Sequence, residues 1–256
     1  MRLTVKKVGV SMMMLATFFW GYMGISSRYL NHISLRTVDI SFIRALSAAI
    51  MLTIYLFFRK RSAFRLPIKG ILFACLYGII CFAIGMSFYS LSVDNIPISV
   101  ATVLMFSNPI WATLFGQIFF GDPISKKKLV IMTLCLIGCM CIIDVFSARG
   151  AELNMIGVLA GILNGMTFSL QIVLPRFVEN KLSKDSLLFY GFWAATICLA
   201  FFVDIGDITS KVANSGRPYF YIAHLLAIGI LCTFVAITLY VNSTKYLGTS
   251  LPSMMS

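Results

Sequence analysis

Eight apolar runs of about 20 residues, joined by short polar links, leave this chain few ways to fold. A run of that length crosses a bilayer as one helix. Inside lipid a helix satisfies its own backbone hydrogen bonds, which an open strand or loop cannot. The runs are Val8–Ser27, Ile40–Phe58, Ile68–Ser90, Ile96–Phe120, Leu129–Phe146, Met155–Leu174, Leu187–Val203 and Phe220–Val241. The chain is 59% hydrophobic and 12% charged over 256 residues, too little polar surface for a soluble domain. The expected fold is all-α, a polytopic membrane protein with eight transmembrane helices and no soluble domain.

The runs repeat. Gly78, Ile79, Cys81, Tyr89, Ser92 and Ser99 recur as Gly229, Ile230, Cys232, Tyr240, Ser243 and Ser250, at a constant offset of 151. Phe19, Asn31, Ser34 and Ala45 recur as Phe168, Asn180, Ser183 and Ala194 at offset 149. Two copies result, 1–150 with five spans and 151–256 with three. An odd number of spans per copy sets the two in opposite membrane orientations, the inverted-repeat build of many transporters. Ser256 falls where the fourth span of the second copy would begin, so the chain reads as lacking that copy's last two helices.

A net charge of +12 raises nucleic acid as a partner, but its placement argues against it. Fifteen of the Lys and Arg residues lie before span one, in the links after spans two, four, six and eight, or, for Lys69, at the entry to span three. Five lie on the other side, and Arg44 is inside a span. This is the positive-inside pattern, from which a cytoplasmic N-terminus is expected; the expected location is a bacterial inner (cell) membrane, crossed several times.

Arg44 stands out because a basic group at a bilayer centre costs about 2.5–3.5 kcal/mol on insertion scales. It sits about 6 Å below the outer surface at 1.5 Å per residue. Two readings stand: an anchor that snorkels or pairs with Asp39 or with another helix's carbonyls, or a cation lining a cavity and holding a carboxylate or phosphate. Trp20-Gly21 lies about 10 Å from the outer end of span one. Gly21 and Gly24 thin that helix, and Trp20 and Tyr22 offer flat amphipathic walls. Asn108-Pro109 falls midway along span four, where the proline favours a kink and frees a carbonyl one turn back. Gly157, Gly161 and Gly165 form a packing ridge on span six, with Asn164 and Gln171 as its polar residues. No carboxylate lies in mid-membrane. Asp39 and Asp144, at span edges, are the nearest.

An enzyme is not expected. His32 and His224 stand alone, and no HExxH, GxSxG or phosphate-cradling loop is present. The seven cysteines all lie in apolar spans and read as small core residues. Cys135, Cys139 and Cys141 lack a second cluster or a histidine, so neither metal nor cofactor is expected.

Trp20-Gly21, Arg44, Tyr89, Pro109 and Gly121-Asp122-Pro123-Ile124-Ser125 together resemble the EamA-type branch of the drug/metabolite transporter superfamily. That family shows Trp-Gly in span one, Arg in span two and Tyr at the end of span three. It then has Pro in span four and a Gly-Glu-x-hydrophobic-Ser turn. Asp122 stands here for the Glu, and Gly138 fits the glycine of span five. The resemblance runs over nearly the whole chain and is strongest in the first copy. In the second, Trp193 occupies the place paired with Arg44.

The resemblance implies ten helices in two inverted five-helix copies, a central cavity formed by the first four helices of each, and secondary transport. The expected function is a metabolite or amino-acid exporter working by alternating access. Its expected substrate-binding residues are Arg44, Trp20, Tyr22, Tyr89, Asn108 and Asn164. Pro109, Gly21, Gly157, Gly161 and Gly165 are expected to bend or pack helices. Expected partners are a small-molecule metabolite (an amino acid or organic anion), the lipid bilayer, no nucleic acid, and a second copy in a homodimer. Cationic drug efflux and a truncated, non-transporting remnant are the alternatives.

Overall fold

The computed structural model describes residues 2–59, 61–124, 129–130, 132–134, 137, 154–178 and 181–247. The expected fifth span falls largely outside them, as do Cys135, Gly138, Cys139, Cys141 and Asp144. All described elements are helical. In chain order they are α1 (Arg2–Asn31), α2 (Thr37–Arg59), α3 (Ile68–Gly78), a π-helical segment (Ile79–Ile84), α4 (Gly85–Asn95), α5 (Ile98–Met105) and α6 (Asn108–Phe120). Then follow α7 (Met155–Val173), α8 (Lys184–Ala200), α9 (Ile205–Ala213), α10 (Pro218–Ala227), a second π segment (Ile228–Val235) and α11 (Ala236–Leu247).

Five of these stretches are long and apolar enough to cross a membrane: Thr37–Arg59, Ile68–Asn95, Ile98–Phe120, Met155–Val178 and Pro218–Tyr240. Counting the bent pair α8 and α9 as one span makes six among the described residues. The expected first span lies within the 30 residues of α1. Large apolar side chains such as Phe18, Phe58, Ile68 and Ile118 project outward, as they do on a surface that meets lipid.

Two spans differ in detail from expectation. Span four is interrupted rather than bent at Pro109: α5 stops at Met105 and α6 begins at Asn108. Pro109 then lies in the first turn of α6, where the N–H it lacks is not needed. Span seven ends at Ala200 and turns by 85° into α9. Asp204 starts that short helix by accepting from Gly206 N at 2.8 Å.

The chain forms two compact units, Met1–Ala83 with Glu179–Ser256, and Ile84–Val178. In the first, α1 lies along α11, α3 packs on α8, and α2 packs on both α8 and the second π segment. Gly78 meets the backbone of Gly191 where α3 crosses α8, an approach with no room for a Cβ. Phe82 and Phe192, both fully buried, stack beside that crossing with centroids 4.3 Å apart. Leu30, Leu35, Ile40, Ile208, Leu225 and Ile228 form a separate apolar cluster.

In the second unit α7 packs on α4, α5 and α6 through its glycine face. Gly157 lies against Asn95 and Ile96, Gly161 against Ser92 and Leu104, and Gly165 against Ser107 and the carbonyl of Leu104. The close approach lets Ser92 Oγ donate to Gly157 O at 2.9 Å. Gly121 closes α6 at φ 66°, a left-handed conformation that glycine takes without strain. Just beyond it, Asp122 accepts two bonds from Arg176, at 2.6 and 3.1 Å, and the same guanidinium lies 4.1 Å from the centre of the Phe120 ring.

The two π segments fall at matching places in the sequence repeat. Shifted by 151 residues, Ile79–Ile84 becomes 230–235, inside Ile228–Val235. Each is followed by a helix that lies along another: α4 along α7 in one unit, α11 along α1 in the other.

Candidate functional site

The first unit carries Arg44, Trp20 and Tyr22. Arg44 lies on α2, in the stretch that packs against the second π segment. Its Nε donates to Thr233 Oγ1 at 3.1 Å. Thr233 is fully buried, and its hydroxyl donates to Ile228 O, five residues back, at 3.0 Å. The hydroxyl proton is therefore committed to the carbonyl and its lone pair to the guanidinium. That arrangement fixes the plane of a permanently charged fork inside a membrane-crossing helix. π segments are rare and frequent at functional sites.

The repeat mate of Arg44 makes a similar bond. Trp193 Nε1 donates to Thr53 Oγ1 at 3.1 Å, and Thr53 donates to Ala49 O. The mate of Thr233 is Phe82, which stacks on Phe192 instead. Arg44 and Thr233 thus pair a cation with a hydroxyl, where the residues offset from them in sequence, Trp193 and Phe82, present aromatic rings.

Trp20 packs on Tyr240, with centroids 5.5 Å apart. Tyr240 is the repeat mate of Tyr89; it is 8% exposed, and its hydroxyl has no hydrogen-bond partner. Gly21 has nothing within 4 Å of where a Cβ would stand, so its face of α1 is open. Tyr22 stacks on His224 at 6.4 Å. His224 also receives Tyr29 and Phe220 and lies 3.0 Å from Ser26 Oγ through Nδ1.

Asp39 is wholly buried and takes two bonds from Arg36, Nε at 3.1 Å and Nη2 at 2.8 Å, plus one from the Arg36 amide at 3.0 Å. It sits in the first turn of α2, where the helix dipole also favours a negative charge. The hydrogen bonds that Arg36 donates to Asp39, followed by the carboxylate's charge, raise the Arg36 pKa above its ordinary value. Asp39 is thus matched by Arg36.

The second unit carries Tyr89, Asn108 and Asn164. Tyr89 is half-buried on α4. Asn108 and Asn164 are 1% and 5% exposed, and the amide nitrogen of each has no hydrogen-bond partner. Among the described residues no group of three or more His, Cys, Asp or Glu could hold a metal ion.

Residues 7–144, more than half the chain, match the model of the EamA-like transporter family. The chain belongs to that family. As an EamA-like transporter it is a multi-pass membrane protein that moves a small molecule, and the family is not one of enzymes. No curated protein matches this transporter. Eight chains of solved structures do match it. One, described only as "Crystal structure of protein", shares 14% identity at a TM-score of 0.69, over 99% of this chain and 83% of its own. At that identity the likeness is one of fold.

Sequence reasoning missed Thr233, Tyr240 and the aromatic surround of His224. A signal for the first was present: the repeat identities Gly78-Ile79 and Cys81 cluster where the first π segment begins, as Gly229-Ile230 and Cys232 do in the second.

Proposed function

We propose that this transporter is a secondary carrier exporting a small organic metabolite with a negative group, an amino acid or organic anion, by alternating access across a bacterial inner membrane. We read it as two inverted copies, 1–150 and 151–256, with the N-terminus cytoplasmic. The matching π segments support that division, as does the pairing of each copy's first span with the end of the other's third. The observation that carries the substrate reading is the Arg44 guanidinium, oriented through Nε by the buried Thr233 hydroxyl. A rigid planar cation in a membrane-crossing helix suits a carboxylate, which it can bind through two parallel bonds.

Trp20 and Tyr22 supply aromatic surface in the first unit, and Tyr89, Asn108 and Asn164 supply ring and amide groups in the second. Cation export would call for a buried acid that exchanges proton for solute. Asp39, the wholly buried carboxylate among the described residues, is matched by Arg36.

The test is transport of radiolabelled amino acids and organic anions by membrane vesicles. Arg44→Ala abolishes it while expression and insertion stay normal. Arg44→Lys does not restore it, because a lysine has no Nε–H to give Thr233 while keeping a planar fork. Normal transport by Arg44→Ala removes Arg44 from the site. Silence of the wild type toward every probe favours the non-transporting reading.

A further inference from the structure

Two asparagines in the second unit break a general rule: buried polar atoms are hydrogen-bonded. Asn108 Nδ2 and Asn164 Nδ2 are both buried without a partner. They flank one contact. Gly165, next to Asn164, lies against Ser107, next to Asn108: a Cβ on Gly165 would stand 2.6 Å from Ser107 Oγ and 2.8 Å from Leu104 O. Asn164 also follows Gly157 by seven residues and Gly161 by three, which sets it on the face of α7 that packs toward α4, α5 and α6.

The interruption of span four adds a third polar group at this place. Pro109 has no N–H, so the carbonyl four residues back, Met105 O, loses its helical donor. That carbonyl lies 3.4 Å from the Gly165 Cβ position. Ser107 does not answer the amides: its hydroxyl donates to Leu104 O at 2.6 Å and accepts from Trp111 Nε1 at 3.2 Å. Helix interruptions at membrane depth are tolerated where they are buried in protein or line a cavity. In carriers such discontinuous spans border the solute.

We propose that Asn108 and Asn164 form a two-donor subsite for an oxygen acceptor of the transported solute, a carboxylate, carbonyl or carboxamide oxygen. The subsite rests on the transport reading above and narrows it. A solute oxygen between two neutral amides receives hydrogen bonds without the desolvation of a second fixed charge, so it can leave again. Alternating access needs that reversibility.

The experiment measures thermal unfolding of the full chain in lipid nanodiscs, with and without each of the twenty L-amino acids and succinate. Wild type, Asn108→Leu, Asn164→Leu and Asn164→Ala are compared. In the wild type the effective probe raises the melting temperature. In the variants that rise disappears, with apparent affinity about 10- to 100-fold weaker, the size expected for a lost bond to a charged acceptor. The unliganded leucine variants melt at or above the wild-type temperature, since each removes a buried donor that has no partner.

Equal ligand-induced rises in wild type and variants overturn the subsite and leave the Arg44 reading standing. If all three variants unfold without ligand, the amides carry structure rather than solute, and the subsite also falls. A wild type that no probe stabilises overturns the transport reading for oxygen-bearing solutes, and the subsite with it.

Discussion

Replacing Gly78 by alanine tests the packing of the first unit most directly, with Gly21→Ala as its control. Both glycines are helical, so both substitutions gain about 0.8–1.0 kcal/mol of helix propensity. That gain cancels in the comparison. What differs is the space each new methyl meets. At Gly21 nothing lies within 4 Å. At Gly78 the methyl runs into the carbonyl oxygen, Cα and carbonyl carbon of Gly191, which are backbone atoms with no rotamer to change. α3 and α8 must separate, and the Phe82–Phe192 stack beside the crossing shifts with them. Overpacking of a close-packed contact costs about 1–3 kcal/mol, and a backbone obstacle puts this site at the upper end. At about 2–4 °C per kcal/mol for a domain of this size, Gly78→Ala should melt roughly 6–12 °C below Gly21→Ala. The assay is fluorescence-detected size exclusion after a temperature ramp, in one detergent. Equal melting temperatures, or a more stable Gly78→Ala, refute the close crossing of α3 and α8.

Ser92→Ala removes the buried hydroxyl that donates to Gly157 O at 2.9 Å. It should cost about 1 kcal/mol, read in the same thermal assay, while Ser11→Ala, at an exposed hydroxyl on α1, leaves stability unchanged. Cysteine-accessibility labelling tests the inverted repeat. Single cysteines at the N-terminal ends of α1 and α7 should label from opposite sides of the membrane, and labelling from the same side refutes it.

The spans were legible because lipid imposes a length and a polarity that composition records directly. The interruption of span four was half legible. Pro109 marks it, but a proline restricts the residues before it and tolerates a first turn after it, so the break falls at Phe106 and Ser107. The 85° turn after Ala200 was not legible, because Phe201, Phe202 and Val203 continue the apolar run and hydropathy carries no direction. Of the expected binding residues, Arg44 announced itself by its charge. Its partner did not: one threonine among many in apolar helices gives no signal until a helix with i→i+5 bonding brings it opposite the guanidinium. Asn108 and Asn164 were visible as polar residues in apolar runs. That their amide nitrogens go unpaired depends on which neighbours the glycine face of α7 admits, and sequence spacing does not contain that.

The paired π segments have a consequence for how this chain can change in length. Each residue added to a regular helix swings everything downstream by about 100°, carrying side chains away from their neighbours. A widened turn holds surplus residues already. Losing one within Ile79–Ile84 or Ile228–Val235 tightens the coil locally and leaves the far half of the helix still facing its partner. The two segments act as slack in otherwise taut rods, placed where a deletion does least harm to the contacts on either side.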